Sequence, residues 1–339
     1  MPRNIKAQAE IHHALLLGLQ LMISTNKGPE VMGDWMFRLF RRQHLDKFLS
    51  SFEKLGLSDL PHAVACARYH VMSNSIGGVP VEYMVENDQK AWVRFRYPRW
   101  MYHGPTICGV PQSVSQGFLD GWYAYNGVSL NNPRLGYVCV SEDMTGEFGL
   151  CGYFKEYDHD LSDSERLQFS KGETPPSFVA EDQPSLPSDQ WNEERLEKAN
   201  RNYAMDYIRN GLAELVTVIG EAQTIELGGR AARLIGLQYF PQTREMVGAV
   251  DGSLADAASY LVRMFDGMGD ETSVDDQGDR VIVRHWGLRI ARGMSGQERD
   301  ILLKIWAQLW QGAMSSQREL KKLDAHVGEE SIDWEISRV

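Results

Sequence analysis

The stretch KAWVRFRY, residues 90–97, alternates apolar with charged side chains, and RVIVRHW, residues 280–286, repeats the pattern. Alternation with a period of two is typical of a strand that buries one face. Each stretch follows a second alternating segment across a turn, VEYMVEN in the first case and TSVDD in the second. The sequence therefore predicts an antiparallel hairpin in each half of the chain.

The two hairpins belong to a longer repeat. Four segments of the first half align in order with four of the second: GDWMFRLFRRQ (33–43) with GGRAARLIGLQ (228–238), LSDLPHAVACARYHVM (57–72) with GSLADAASYLVRMFDG (252–267), QKAWVRF (89–95) with DRVIVRH (279–285), and PQSVSQGFLDGW (111–122) with SGQERDILLKIW (295–306). The alignment places Arg68 opposite Arg263, Arg94 opposite Arg284 and Trp122 opposite Trp306. Four collinear matches indicate an internal duplication.

Helical periodicity surrounds the predicted strands. Helices are predicted over residues 5–24, 29–56, 60–73, 112–126 and 296–320, a further hairpin over 136–159 around a turn at 144–146, and a last strand over 331–337. Helices against antiparallel strands predict an α+β fold in two tandem copies. The copies span residues 1–160 and 190–339, and the acidic, Pro- and Ser-rich residues 161–189 form a linker.

This layout, with the small-residue helix LGGRAARLIG and the later strand DRVIVRHW, resembles bacterial 4-vinyl-reductase-type ligand-binding domains. It is also similar to the L-2-amino-thiazoline-4-carboxylate hydrolase family. The resemblance spans most of both copies. It implies a pocket for a small organic molecule between the helices and the sheet, and it assigns no role to a numbered residue.

Composition narrows the class of protein. The net charge of −11 argues against a nucleic-acid surface, and the apolar run at residues 14–23 is too short to span a membrane. Four cysteines form no CxxC pair, which favours a reduced, cytoplasmic chain. A homodimer is left open.

No standard signature of a catalytic or cofactor site occurs. The chain has no Walker loop, GxGxxG, GxSxG or HExxH motif. We therefore expect no organic cofactor, and without a recognisable ligand spacing we expect no metal site.

The aromatic residues are unevenly distributed, since 22 of 34 lie in residues 1–170. A pocket lined by rings in the first copy would explain this excess, and a bulkier core or an interface would explain it too. We place the active site in the first copy, in and around YPRWMYHGPTICGVP, residues 97–111. The matching segment of the second copy, WGLRIARGM (286–294), is shorter and lacks Tyr, His, Cys and Pro.

Four residues of the first copy are candidates for catalysis. His103 could transfer a proton near neutral pH, Tyr102 could donate one, and Arg99 could clamp an anionic group. Lys155, between two tyrosines on one strand face, could be a base of lowered pKa. A satisfied surface or core position for His103, and an exposed face with aromatic cross-strand pairs around Lys155, are the structural alternatives.

Seven further residues are candidates for substrate binding, with a structural role as the alternative for each. They are Tyr97, Trp100, Cys108, Trp122, Tyr153, Glu82 and Glu156. Cys108 could also be a nucleophile, and Glu82 could instead be a structural partner of Arg94.

The leading interpretation is a cofactor-independent hydrolase or lyase that uses acid–base chemistry. Its substrate would be a small, partly aromatic compound, such as a catabolite with a phenol or acid group. A non-catalytic small-molecule-binding or sensor protein is the alternative. A haem or metal protein is the third.

Overall fold

Helices pack against two sheets in the computed structural model, which describes residues 1–145 and 147–339. The predicted α+β fold class is confirmed. The turn predicted at residues 144–146 includes Gly146, which lies outside the described residues. The chain divides into a continuous unit, residues 27–196, and a split unit that combines residues 1–26 with residues 197–339.

The continuous unit contains all eleven candidate site residues. Its helices are α2 (Pro29–Lys54), α3 (His62–Ile76), α4 (Ser113–Gly121) and α5 (Asn126–Ser129), and its strands are β1 (Val81–Asn87), β2 (Lys90–Phe95), β3 (Leu135–Ser141), β4 (Cys151–Glu156) and β5 (Leu167–Phe169). The strands form one sheet in the order β1-β2-β4-β3-β5, antiparallel except for the β3–β5 pair.

The split unit begins with α1 (Arg3–Lys27), whose last residue belongs to the continuous unit. Its other helices are α6 (Glu193–Ile219), whose first four residues belong to the continuous unit, α7 (Glu221–Val247), α8 (Leu254–Met268) and α9 (Gly296–Ser315). Its strands are β6 (Glu271–Asp276), β7 (Arg280–Trp286), β8 (Lys321–Val327) and β9 (Ser331–Arg338). The sheet order is β6-β7-β9-β8.

The sheets share their strand order, apart from the added β5. This similarity agrees with an internal duplication, which stays a prediction. Strand β8 was missed, and the helix predicted over residues 296–320 ends earlier, at Ser315. The alternation of Leu323, Ala325 and Val327 would have revealed it.

The unit boundaries differ from the predicted domain boundaries at the N-terminus. Helix α1 packs with the C-terminal half: Trp306 Nε1 donates a hydrogen bond to His12 Nε2 at 3.0 Å, and Gln8 donates to the Arg201 carbonyl at 3.1 Å. Such buried polar contacts require both partners, so α1 is part of the split unit's core.

Glycines set the spacing of a helix pair in each unit. A Cβ at Gly121 on α4 would overlap the Phe37 carbonyl on α2, and a Cβ at Gly236 on α7 would overlap the Leu309 carbonyl on α9. The small-residue pattern LGGRAARLIG therefore reflects close helix packing in this structure.

The core of the continuous unit lies between its helices and one face of the sheet. His70 of α3 stacks on Tyr123 and Phe154 with ring centroids 3.8 and 5.4 Å apart, and Tyr123 contacts Tyr137 at 4.6 Å. We call this the inner face of the sheet and the opposite one the outer face.

Candidate functional site

The predicted site residues fall into separate parts of the continuous unit. Near the buried Asp143 lie Tyr97, Arg99 and Tyr102. Strands β1 and β4 carry Glu82, Tyr153, Lys155 and Glu156. Trp122 packs beside His44 and Tyr69, Trp100 is half-buried, and His103 and Cys108 are exposed. The structure therefore does not bring the four candidate catalytic residues together.

Asp143 is the centre of a buried polar cluster. Arg99 Nη1 donates to both carboxylate oxygens, at 2.9 and 3.0 Å. Ser115 Oγ donates to Oδ2 at 2.7 Å, and the Tyr97 hydroxyl donates to Oδ1. The Tyr102 hydroxyl lies 2.7 Å from Ser115 Oγ. We call these five residues the Asp143 cluster.

Neighbouring elements position the cluster. Arg99 precedes a short 3-10 turn at Trp100–Tyr102, and its guanidinium lies over the rings of Phe95 and Tyr102, 4.3 and 5.2 Å from their centroids. Ser115 comes from α4. Rings on two sides restrict the arginine side chain, so its guanidinium is held toward Asp143.

Opposing effects act on the charge of Asp143. Its side chain has no solvent exposure, and burial raises the pKa of its carboxyl to about 8. The Arg99 guanidinium and the hydroxyls of Ser115 and Tyr97 act in the other direction, because each stabilises the carboxylate. With a paired cation and two further donors, we assign Asp143 as an ionised partner of Arg99.

The cluster gives Arg99 an internal partner. Arg99 is 4 % exposed, and the carboxylate of Asp143 occupies the position beside its guanidinium where a substrate anion was expected. Tyr97, at 39 % exposure, connects the cluster to the surface. In this arrangement Arg99 and Asp143 fix the loop of residues 97–111 to the end of β3.

His103 and Cys108 lie on the solvent side of the same loop. His103 precedes the 3-10 turn Gly104–Cys108, and both side chains are exposed. Among the described residues, neither side chain forms a hydrogen bond with the Asp143 cluster. A catalytic role for either residue stays a prediction.

The outer face of the sheet carries a second set of predicted residues. Met84, Trp92, Val138, Val140, Cys151 and Tyr153 form a buried apolar cluster there. Beside it, Glu82 accepts hydrogen bonds from Arg94 at 2.6–2.7 Å and lies 3.4 Å from Arg96. The pairing of Arg94 with Glu82, one of the two interpretations of Glu82, is confirmed.

Residues 170–185, which we call the strap, cover this outer face. The strap leaves β5 at one edge of the sheet and reaches β1 at the other, where Gln183 pairs with the Tyr83 backbone through hydrogen bonds of 2.8 and 2.9 Å. Between these ends, Glu173 accepts a hydrogen bond from the Tyr153 hydroxyl at 2.9 Å. The segment predicted to be a linker thus contains β5 and the strap.

A cavity of about 330 Å³ lies between the strap and the sheet. Its lining residues are Met84, Arg94, Phe148, Thr174, Pro175, Pro176, Ser177 and Phe178. We call it the strap cavity. It combines apolar walls with one guanidinium, a pattern common in pockets for small organic ligands.

The split unit has no such apolar outer face among its described residues. The matching strand positions carry exposed ion pairs: Arg284 contacts Asp333 at 3.0 Å, and Arg280 contacts Glu335 at 3.5 Å. A sheet of this order can therefore have a solvated outer face. In the continuous unit, the apolar outer face packs against the strap and lines the cavity beneath it.

A wider cleft of about 570 Å³ lies between α2, α4 and β5. Phe37 and Phe169 line it together with the carboxylates of Glu30, Asp34 and Asp120. Burial raises the pKa of Asp120. Three acidic groups disfavour the phenolic or acidic ligand expected from the sequence, since like charges repel.

Sequence reasoning missed Asp143, Ser115 and the strap. A buried arginine needs a carboxylate, so SED at residues 141–143, which ends a predicted strand, was an available signal for Asp143. Ser115 gives no distinguishing signal, because serine near a helix start is ordinary.

No protein-family model matches the chain, and no curated protein matches it in sequence. The resemblance to 4-vinyl-reductase-type domains therefore stays a prediction. Across residues 1–145 and 147–339, no helix has both the length and the apolar character needed to cross a bilayer.

Proposed function

We propose that this protein binds a small, partly aromatic organic compound with an acid or phenolate group in the strap cavity. The observation that supports this proposal most is the contrast between the sheets. The outer face is apolar and covered by the strap in the continuous unit, whereas exposed ion pairs occupy it in the split unit.

The dimensions of the cavity fit such a ligand. About 330 Å³ is at the lower end of the range for small-molecule sites, which is about 300–1,000 Å³. Phe178 and the two prolines of the strap offer flat apolar surfaces for a ring. A compound with one ring and a short substituent would fill this space.

The charges at the cavity favour an anion. Arg94 lines it, and Glu82 is shared between Arg94 and Arg96, so one carboxylate faces two guanidinium groups. The Arg94 side chain is 25 % exposed. A ligand carboxylate would complete its hydrogen bonds and balance the remaining positive charge.

The test compares two matched arginines, each paired with a carboxylate on a neighbouring strand. Benzoate and 4-hydroxybenzoate are titrated by calorimetry and by tryptophan fluorescence, since Trp92 belongs to the buried cluster beside the cavity. We expect Arg94→Met to weaken binding at least tenfold and Arg284→Met to leave it unchanged. Absence of saturable binding by both compounds, or equal binding by the two variants, would overturn the proposal.

The hydrolase or lyase activity inferred from the sequence is a further proposal. The exposed Tyr97 favours it, because its hydroxyl connects a buried carboxyl to the surface. A cytoplasmic location is likewise a proposal, supported by the four unpaired cysteines, and a homodimer is another proposal.

A further inference from the structure

Two arginines that match in the sequence alignment have different surroundings. On α8, Arg263 Nη1 donates to the carbonyls of Val247 and Gly248 at 2.6 and 3.0 Å. These residues end α7, where the carbonyls have no partner within the helix. Arg263 therefore caps the C-terminus of α7.

Arg68, the matching residue on α3, lies beside a cavity. Its Nε is buried and has no hydrogen-bond partner within the described residues, and its guanidinium lies 5.4 Å from the ring centroid of Tyr83. The cavity has a volume of about 410 Å³ and is lined in part by Leu55, Gly56 and Leu57, which follow α2. We call it the Arg68 cavity.

The walls of the Arg68 cavity combine leucines with polar groups, and its rim is acidic. Its remaining lining residues are Leu60, Met72, Glu181, Asp182, Gln183, Pro184 and Ser185. Glu181 and Asp182 are exposed. The double hydrogen bond of Gln183 to the Tyr83 backbone fixes the strap side of the wall, so this wall exists before any ligand binds.

We propose that the Arg68 cavity binds a small aliphatic monocarboxylate, with its carboxylate on Arg68 and its chain against the leucines. The Arg68 side chain lines the cavity, and a carboxylate is the acceptor that best matches a guanidinium. The exposed carboxylates of Glu181 and Asp182 would repel a second negative charge at the outer end of the ligand. This site is separate from the strap cavity and does not depend on the proposed function.

Butanoate and butanedioate are suitable probes, because they have the same chain length and differ by one carboxylate. In calorimetric titrations of the full chain we expect butanoate to bind saturably and butanedioate at least tenfold more weakly. Arg68→Gln should weaken butanoate binding at least tenfold, and Leu60→Trp should do the same by filling the cavity.

Matched controls separate binding from folding. Arg263→Gln should lower the thermal midpoint through loss of the α7 cap and keep the affinity for butanoate, whereas Arg94→Met should leave butanoate binding unchanged. Equal affinities for the two probes, or butanoate binding that survives both Arg68→Gln and Leu60→Trp, would overturn the proposal. Loss of butanoate binding in Arg94→Met would also overturn it, since the ligand would then occupy the strap cavity.

Discussion

Asp143 and Arg99 show how a polar loop can stabilise the folded state through a buried ion pair. Removing two opposite charges from water costs several kcal/mol per ion, and this cost is offset only where good geometry and further hydrogen bonds accompany the pair. Both conditions hold here, because Arg99 reaches both carboxylate oxygens and two hydroxyls donate to the same carboxylate. The stability of the buried Arg99–Asp143 pair therefore depends on the two hydroxyls as well as on the two charges.

We expect Asp143→Asn to lower the free energy of unfolding of the continuous unit by about 3–5 kcal/mol, because it removes the buried carboxylate that accepts two hydrogen bonds from Arg99 Nη1. Urea unfolding followed by circular dichroism measures the loss. Glu156→Gln is the matched control, since it breaks a pair whose arginine, Arg134, is 48 % exposed. Similar losses of stability in the two variants would show that the buried Asp143 cluster does not stabilise the fold more than an exposed ion pair does.

At the scale of elements, close helix pairs depend on single glycines. Gly236 and Gly229 both lie on α7, but their surroundings differ: a Cβ at Gly236 would overlap the backbone of α9, whereas at Gly229 it would meet the Gln308 side chain at an ordinary 3.5 Å. The same substitution should therefore have opposite effects at these two positions of one helix.

We expect Gly236→Ala to destabilise the split unit by about 1–3 kcal/mol, because the helices must move apart to admit the methyl group. Gly229→Ala should stabilise it by about 0.5–1 kcal/mol, since alanine loses less backbone entropy in a helix. Thermal unfolding of both variants measures the difference. Destabilisation of equal size in both would show that helix packing is not what selects glycine at residue 236.

At the scale of the whole molecule, the hydrophobic periodicity of the sequence predicted most of the helices and strands. The alternation in KAWVRFRY and RVIVRHW predicted strands that the structure contains, because inward-facing residues must be apolar whatever the loops do. The strap could not be predicted, since its contacts are a few specific ones, such as Gln183 with Tyr83, and its composition is that of a linker. The roles of the site residues were harder to predict than the strap. The sequence around Arg99 does not indicate whether its partner is a ligand or Asp143.

Buried histidines make the stability of both units depend on pH. Burial lowers the pKa of His12 in the split unit to about 4 and that of His44 in the continuous unit to about 3, and it lowers the pKa of His70 well below 6.5. Each of these residues is therefore neutral in the folded state at neutral pH. The unfolded chain binds protons at these positions as the pH falls below 6.5, so stability decreases in that direction.

We expect each such histidine to cost about 1.4 kcal/mol of stability per pH unit between pH 6.5 and its folded pKa, a dependence measurable by urea unfolding between pH 7 and 5. His70→Phe should reduce the slope of the continuous unit by about this amount, since phenylalanine takes up no proton. Phenylalanine suits the site sterically, because the aligned residue of the split unit is Phe265, which stacks on His285 at 4.0 Å. A slope that is the same with and without His70 would mean that its ring takes up a proton in the folded core, and the stacking on Tyr123 and Phe154 would then hold an imidazolium.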